Sequence, residues 1–541
     1  MRYKSLIGLA ALGVVSALLA GCTSAPPEES GGATSAPTAE TSANVYLYQK
    51  PVTFNPLKPA QGAEQLTMSL IFDNLFTTDP DFSFTPRLAE SWDVSDDAKT
   101  FTFHLREGLT WSDGEPFTAQ DVLFTYNLAA NPKVGGAWSA RLSGIEGYAA
   151  FQDGSATSLS GLTAPDDNTV VFQLSAANAG FLSLIGYGSV MFILPEHVLG
   201  EKDPATLLED PWFAQPTVGM GPYVMKAFNV DQDIELEANP DYRSEVGIDH
   251  LYLKMLTSDV ATAQLGTGEI DLVQVSALDL DAVKSLPGVS VVSKPAAGFT
   301  RMAVNFSKPR FADERVRQAL VYAIDRQGII DGVLGGEATL LNSDIMTPWA
   351  LPDDLEEYAH DPAKAKELLA AAGFDTSEEV KISWVPGQRD RDQMVNVIIE
   401  NLKEAGISAV ANQVDAGALT ASYSDGSYDL ALFGGGVYTP DPASTLPIVA
   451  CEQKFPAGAN TALFCDPALD KAMLDGQQVA DEDARAAIYQ DAARLDNKLV
   501  PYVWLNVPNT IWATSERLTG FEPHGDFTNG FWNAADWKIA G

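Results

Sequence analysis

Polar and apolar residues alternate with period two over 99–106 (KTFTFHLR), which predicts a half-buried strand. Thr118 then opens a helix. Asp121 stands at its N3 position, an approximate capping box, and Val122, Leu123 and Tyr126 follow at helical spacing. Shorter apolar runs predict strands at 45–48, 169–174, 234–237, 251–255 and 270–275, the last preceded by a short helix over 259–268. From position 299 the rhythm becomes strand–helix. A strand over 299–305 leads to a helix over 313–325 that keeps Val316, Leu320, Ala323 and Ile324 on one face. Asp361-Pro362 reads as an N-cap followed by proline at the first helical position, with Gly373 as the stop. A strand over 380–385, a helix over 391–405 and strands over 408–414 and 429–433 complete the series. Such alternation implies an α/β fold with a largely parallel sheet covered on both faces. Arg315, Arg317 and Asp325 fall on the polar side of their helix and are expected on a solvated or ion-paired face. Gly219, Gly221 and Pro222 mark a place where crossing segments pack closely.

The first 43 residues do not fit this pattern. Arg2 and Lys4 precede an apolar run over 6–20, of secretory length and too short to span a bilayer comfortably. The run ends in Leu19-Ala20-Gly21-Cys22, which resembles a bacterial lipobox. That resemblance implies a signal peptide over 1–21 and lipidation of Cys22. Residues 23–43 hold Ser, Thr, Ala, Pro, Gly and Glu with no large apolar side chain, so 22–43 is expected to be a flexible tether.

Charge then narrows the possible partners. The 541-residue chain carries 72 acidic and 34 basic residues, a formal charge of −38, which disfavours binding to nucleic acid or to anionic lipid. Membrane contact is therefore expected through the anchor alone. Five His and three Cys make a multinuclear metal site improbable, and no metal or cofactor is expected. With Cys22 lipidated, Cys451 and Cys465 remain outside the cytoplasm, where a disulfide persists; two buried thiols are the alternative. Neither GxSxG nor HExxH occurs, and His104, His197, His250, His360 and His524 are scattered, so no catalytic residue is assigned.

Three longer segments carry a family resemblance: LAESWDVSDDAKTFTFHLREGLTWSDGEPFTAQDVLFTYN from Leu88, GMGPYVM from Gly219 with NPDYR from Asn239, and AVNFSKPRFADERVRQALVYAIDRQGIIDGVLGG from Ala303. With the weaker echoes DPAKAKELLAAAGF, YDLALFGGGVYTPDP and WKIAG, the chain resembles the extracytoplasmic solute-binding proteins of ABC importers, in the class that takes oligopeptides, dipeptides and nickel complexes. The resemblance implies a two-lobed, periplasmic-binding-protein-like α/β fold with a hinge. Lobe I would comprise 44–295 plus 504–541, with an extra subdomain at about 86–199, and lobe II would comprise 296–503. The implied role is capture of an oligopeptide or dipeptide by a lipid-anchored monomer and delivery to a permease and its ATPases. An oligosaccharide or chelated nickel is the alternative solute.

Family position further implies solute contacts at Phe54 and Asn55, at Phe299 and Arg301, at Trp384, and in the loop holding Gly435, Gly436, Tyr438 and Asp441. Consecutive glycines at 434–436 would let backbone approach a ligand, although a plain flexible loop reads equally well. Trp384 reads equally as a core indole. Peptide-binding members often place an Asp three residues before the Asp-Pro of this loop, against the peptide's α-ammonium. Here that position is Tyr438, which cannot supply a full negative charge at neutral pH.

Overall fold

In a computed structural model, residues 40–58, 62–186, 191–435 and 441–540 are described. The expectations for 1–39, among them the signal peptide and Cys22, lie outside them, as do Gly436 and Tyr438.

One long strand organises the molecule. Tyr502–Ser515 is a 14-residue run almost buried throughout, rich in the aromatic and β-branched residues that fit a pleated surface. Its first half pairs antiparallel with Phe299–Val304 and Ala338–Leu340, its second half with Val289–Pro295 and Leu272–Val275. Beyond Phe299–Val304 the sheet continues through Leu430–Gly435, Val380–Trp384 and Ala409–Gln413. On the other side it continues through Ser42–Leu47, His250–Met255, Asp233–Ala238 and Tyr223–Asn229.

The expected largely parallel sheet is therefore corrected. Only the pairings of Val380–Trp384 with its two neighbours and of Ser42–Leu47 with its two neighbours are parallel in this sheet. The βα rhythm reports the local crossovers but not the long strand, which arrives from far along the chain and runs against each of its four partners. The strand also continues unbroken past 503–504, where sequence places a lobe limit. Ala296 N–H donates to Pro508 O at 2.8 Å, and there the two chain passes cross side by side.

The segment expected as an extra subdomain forms its own antiparallel sheet, ordered Ala89–Val94, Thr100–Leu105, Thr169–Gln173, Leu162–Asp166. Period two places Phe101, Phe103 and Leu105 inside, while His104 faces out against Asp93 at 2.9 Å. The capping box at Thr118 forms: Asp121 accepts from Thr118 N–H while Thr118 Oγ1 accepts from Gln120 N–H. The glycines at 219 and 221 are required by proximity. A Cβ on Gly219 would stand 2.0 Å from Ile71 O, and one on Gly221 2.4 Å from Leu70 O.

Arg317 corrects another expectation. It is 3% exposed and donates to the carbonyls of Leu499, Phe311 and Ala312 at 2.7–2.8 Å, with its guanidinium 4.4 Å from the Phe306 ring. Three open carbonyls at neighbouring segment ends draw it inward. Arg315 remains exposed on Asp313, and Asp325 caps the helix Arg326–Val333. Cys451 and Cys465 are joined by a disulfide, closing a loop worth about 3 kcal/mol in the chain-entropy account.

Candidate functional site

The strand Phe299–Val304 is buried along its whole length because helices cover both faces of the sheet. Arg301 sits in its midst at 5% exposure. The guanidinium lies 4.4 Å from the Phe433 ring centroid, 4.8 Å from Phe299, 5.1 Å from Tyr502 and 6.0 Å from Trp504. Its Nη1 donates to Gly435 O at 3.3 Å, while Nε has no partner among the described residues. Burial depresses the Arg301 pKa, and the fields of Tyr502, Tyr423 and Asp344 partly oppose that shift. Ring faces hold this charge in place of a carboxylate, each contributing about 0.5–2 kcal/mol.

The strand Leu430–Gly435 runs antiparallel to it, so Phe299 faces Gly435 and Thr300 faces Gly434. Gly435 adopts φ of 105°, a conformation that disfavours any side chain. Beyond the undescribed 436–440 the chain returns at Asp441, which caps the turn Pro442–Thr445 through Ala443 N–H at 2.9 Å. Asp441 is also ion-paired with Arg485 at 2.6 Å, both side chains being 8% exposed. Arg485 further donates to Gly476 O and lies 5.5 Å from the rings of both Trp349 and Tyr489. Burial lowers the Arg485 pKa, but the Asp441 carboxylate more than restores it, leaving a net rise. Asp441 is thus a capping and pairing residue at the foot of the loop.

Segments far apart in sequence meet close to this point. Ala179 N–H, from the four-stranded subdomain, donates to Gln477 O at 2.8 Å. A Cβ on the neighbouring Gly180 would stand 3.1 Å from the Asp441 carboxyl. At a second contact Arg389 reaches Asp279 at 2.5 Å.

Two buried acids lie behind the site. Asp344 and Asp496 are both 0% exposed. Asp496 Oδ2 accepts from Asp344 N–H at 3.1 Å and from the Trp504 indole at 2.7 Å, which links the acids to the rings around Arg301. Burial pushes Asp344 up to about 6, against hydrogen bonds from Thr445 and Ser343. Asp496 is raised by burial and then by the Asp344 charge. Asp344 Oδ2 and Asp496 Oδ1 have no hydrogen-bond partner among the described residues, so each acid is buried with one oxygen unserved.

The structure brings Phe299, Arg301 and Gly435 together. Among the other named residues that are described, Phe54, Asn55 and Trp384 make their contacts elsewhere. Phe54 is fully buried, packed edge-on against Phe228 at 5.5 Å, and Asn55 folds its side chain onto Leu208 O and Leu57 N–H. Trp384, at 2% exposure, lies in the core rather than at a cleft edge. Its indole donates to Asp392 at 2.7 Å, because inward strand position 384 meets the first turn of the helix Arg389–Glu404. Reading by sequence missed Arg485 and the Asp344–Asp496 pair. A buried arginine looks like any polar helix position, and 152 residues separate the two acids.

Residues 83–455 match the model of the bacterial extracellular solute-binding proteins, family 5. The chain belongs to this family. A Brucella abortus protein whose name assigns it to peptide binding in an ABC transporter is 30% identical over 482 residues, covering 86% of this chain and 87% of that protein. The dipeptide-binding protein of Pseudomonas aeruginosa is 28% identical over 83% of this chain and 86% of its own. Among solved structures, the oligopeptide-binding protein AppA of Bacillus subtilis, in complex with a nonapeptide, aligns with a TM-score of 0.75 at 25% identity over 93% of this chain and 100% of that chain. The substrate-binding protein CtaP of Listeria monocytogenes has the same fold, with a TM-score of 0.82 at 24% identity over 93% of this chain and 100% of that one. This family 5 chain therefore has the two-lobed solute-binding fold. Its family comprises extracellular solute-binding proteins, not enzymes, and no helix among the described residues is long and apolar enough to cross a membrane.

Proposed function

We propose that this protein captures a peptide outside the membrane and hands it to the permease of an ABC importer. The likeness to peptide-bound AppA along nearly the full chain carries this reading. In it, Cys22 holds lipid, the tether ends before Ser42, since Ser42 and Ala43 already belong to the strand Ser42–Leu47 paired with His250–Met255, and the lobes divide where the chain passes at Ala296 and Pro508 cross. Solute contacts that favour the closed arrangement would present that form to the permease. The cage around Arg301 and Gly435 beside it supply the lobe II wall.

A peptide library should raise the melting temperature, with the increase growing as peptide concentration rises. Oligosaccharides and nickel–histidine, tested in parallel, should give none. An increase from either of these with none from peptides would refute peptide as the solute.

Closure also makes a geometric prediction. Gly180→Trp places an indole against Asp441. It should weaken solute binding by about tenfold while leaving the ligand-free melting temperature within a degree or two, since it obstructs only the meeting of the lobes. Titration calorimetry checks this, and unaltered affinity would mean that Gly180 does not face lobe II in the bound state.

A further inference from the structure

Residues paired across antiparallel strands share a face. On one face of the lobe II sheet this rule gathers Met302, Val304, Leu430, Leu432, Val503 and Leu505, all buried and apolar. Toward the crossing at Pro508 that face changes character. Its next positions are Thr300, Gly434 and Asn506, and Thr300 pairs with both of the others.

Asn506 is 1% exposed, and neither Nδ2 nor Oδ1 has a hydrogen-bond partner among the described residues. Thr300 is 6% exposed, and its hydroxyl makes no hydrogen bond among them either. Over Gly434 lies the guanidinium of Arg391. A Cβ on Gly434 would meet Arg391 Nη2 at 2.6 Å and Thr300 Oγ1 at 3.7 Å, so a side chain there would push the guanidinium aside. Arg391 forms neither an ion pair nor a hydrogen bond among the described residues, and burial depresses its pKa. A hydroxyl, a carboxamide and a guanidinium, all open, thus meet at one end of an apolar face.

An open carboxamide at this depth costs stability, and a leucine at 506 would occupy nearly the same space without that cost. A carboxamide open at both ends matches a partner that offers a donor and an acceptor side by side. We propose that Asn506, Thr300 and Arg391 form a subsite for the main-chain N–H and C=O of one extended residue of the solute, which belong to two consecutive trans amides and lie side by side. Asn506 Oδ1 accepts that residue's N–H, while Asn506 Nδ2, the Thr300 hydroxyl and Arg391 surround its carbonyl oxygen with donors. This assignment rests on the peptide reading above.

The test uses the tethered protein without its signal and the library peptide that raises the melting temperature most. Asn506→Leu should leave the ligand-free melting temperature equal or higher and weaken that peptide by about tenfold. An analogue with one main-chain amide replaced by an ester should bind the parent protein less well than the peptide does, and Asn506→Leu should lose that preference. Affinity unchanged by Asn506→Leu, whatever the melting temperature, overturns the subsite and leaves a buried water or a structural role at Asn506. Should Asn506→Leu not fold, the isosteric Thr300→Val replaces it; about threefold weaker binding supports the subsite and unchanged binding overturns it. A parent protein that no peptide stabilises overturns the peptide reading, and the amide assignment with it.

Discussion

Arg485→Met is expected to destabilise the protein by about 3–5 kcal/mol, because it strands the Asp441 carboxylate, 8% exposed, without its guanidinium. For a body of roughly 500 residues the entropy of unfolding is about 1 kcal/mol per degree, so the melting temperature should fall by about 3–5 °C. Methionine keeps most of the side-chain volume, which confines the loss to electrostatics and hydrogen bonds. Adding Asp441→Asn should recover much of it, since the amide keeps the cap on Ala443 N–H and removes the buried charge. The double-mutant cycle is the measurement. If the second substitution restores nothing, the loss comes from Arg485's contacts with Gly476 O and the flanking rings rather than from the ion pair. Arg485→Met should also loosen the turn Pro442–Thr445 that Asp441 caps.

Asp344→Asn is expected to stabilise the protein at neutral pH. The Asp344 pKa rises from 3.8 to about 6 on folding, so between these values the native state holds a proton that the unfolded chain has released. Stability conferred by this group is therefore greatest below about pH 4, declines as pH climbs to about 6, and stays at the lower level beyond. A rise of that size is worth roughly 3 kcal/mol. The asparagine removes that loss and gives Asp496 a neutral neighbour, while the Trp504 indole continues to serve Asp496. Melting temperatures should rise by about 3 °C at pH 7.5 and converge with the parent at pH 4. A variant less stable than the parent at both pH values would show that burial of the Asp344 carboxyl carries no net cost at neutral pH.

Patterns that depend on near neighbours were legible before the structure. Period two predicted the strand Thr100–Leu105, the Thr118–Asp121 spacing predicted a capping box, and Asp361-Pro362 with Gly373 bounded the helix Pro362–Ala372. The glycines at 219 and 221 marked a close crossing because no other residue fits there. Contacts between distant segments were not legible. The strand Tyr502–Ser515 reads as one apolar run, and nothing local says that its halves serve different neighbours or that all run against it. Arg301 was recognisable as a candidate, but its cage takes rings from positions 299, 433, 502 and 504, which only the sheet register assembles. Trp384 shows the reverse: strand position gives a tryptophan's side of the sheet, not whether that side meets solute or a helix.

The shared strand also sets the order in which this polypeptide can mature. Neither half of the main sheet is complete until residues 502–515 have emerged, because each half takes part of its hydrogen-bonded ladder from them. A nascent chain lacking its last forty residues keeps both halves unfinished, with open edges at Phe299–Val304 and at Leu272–Val275. A frameshift near the end should therefore cost the entire body rather than a tail.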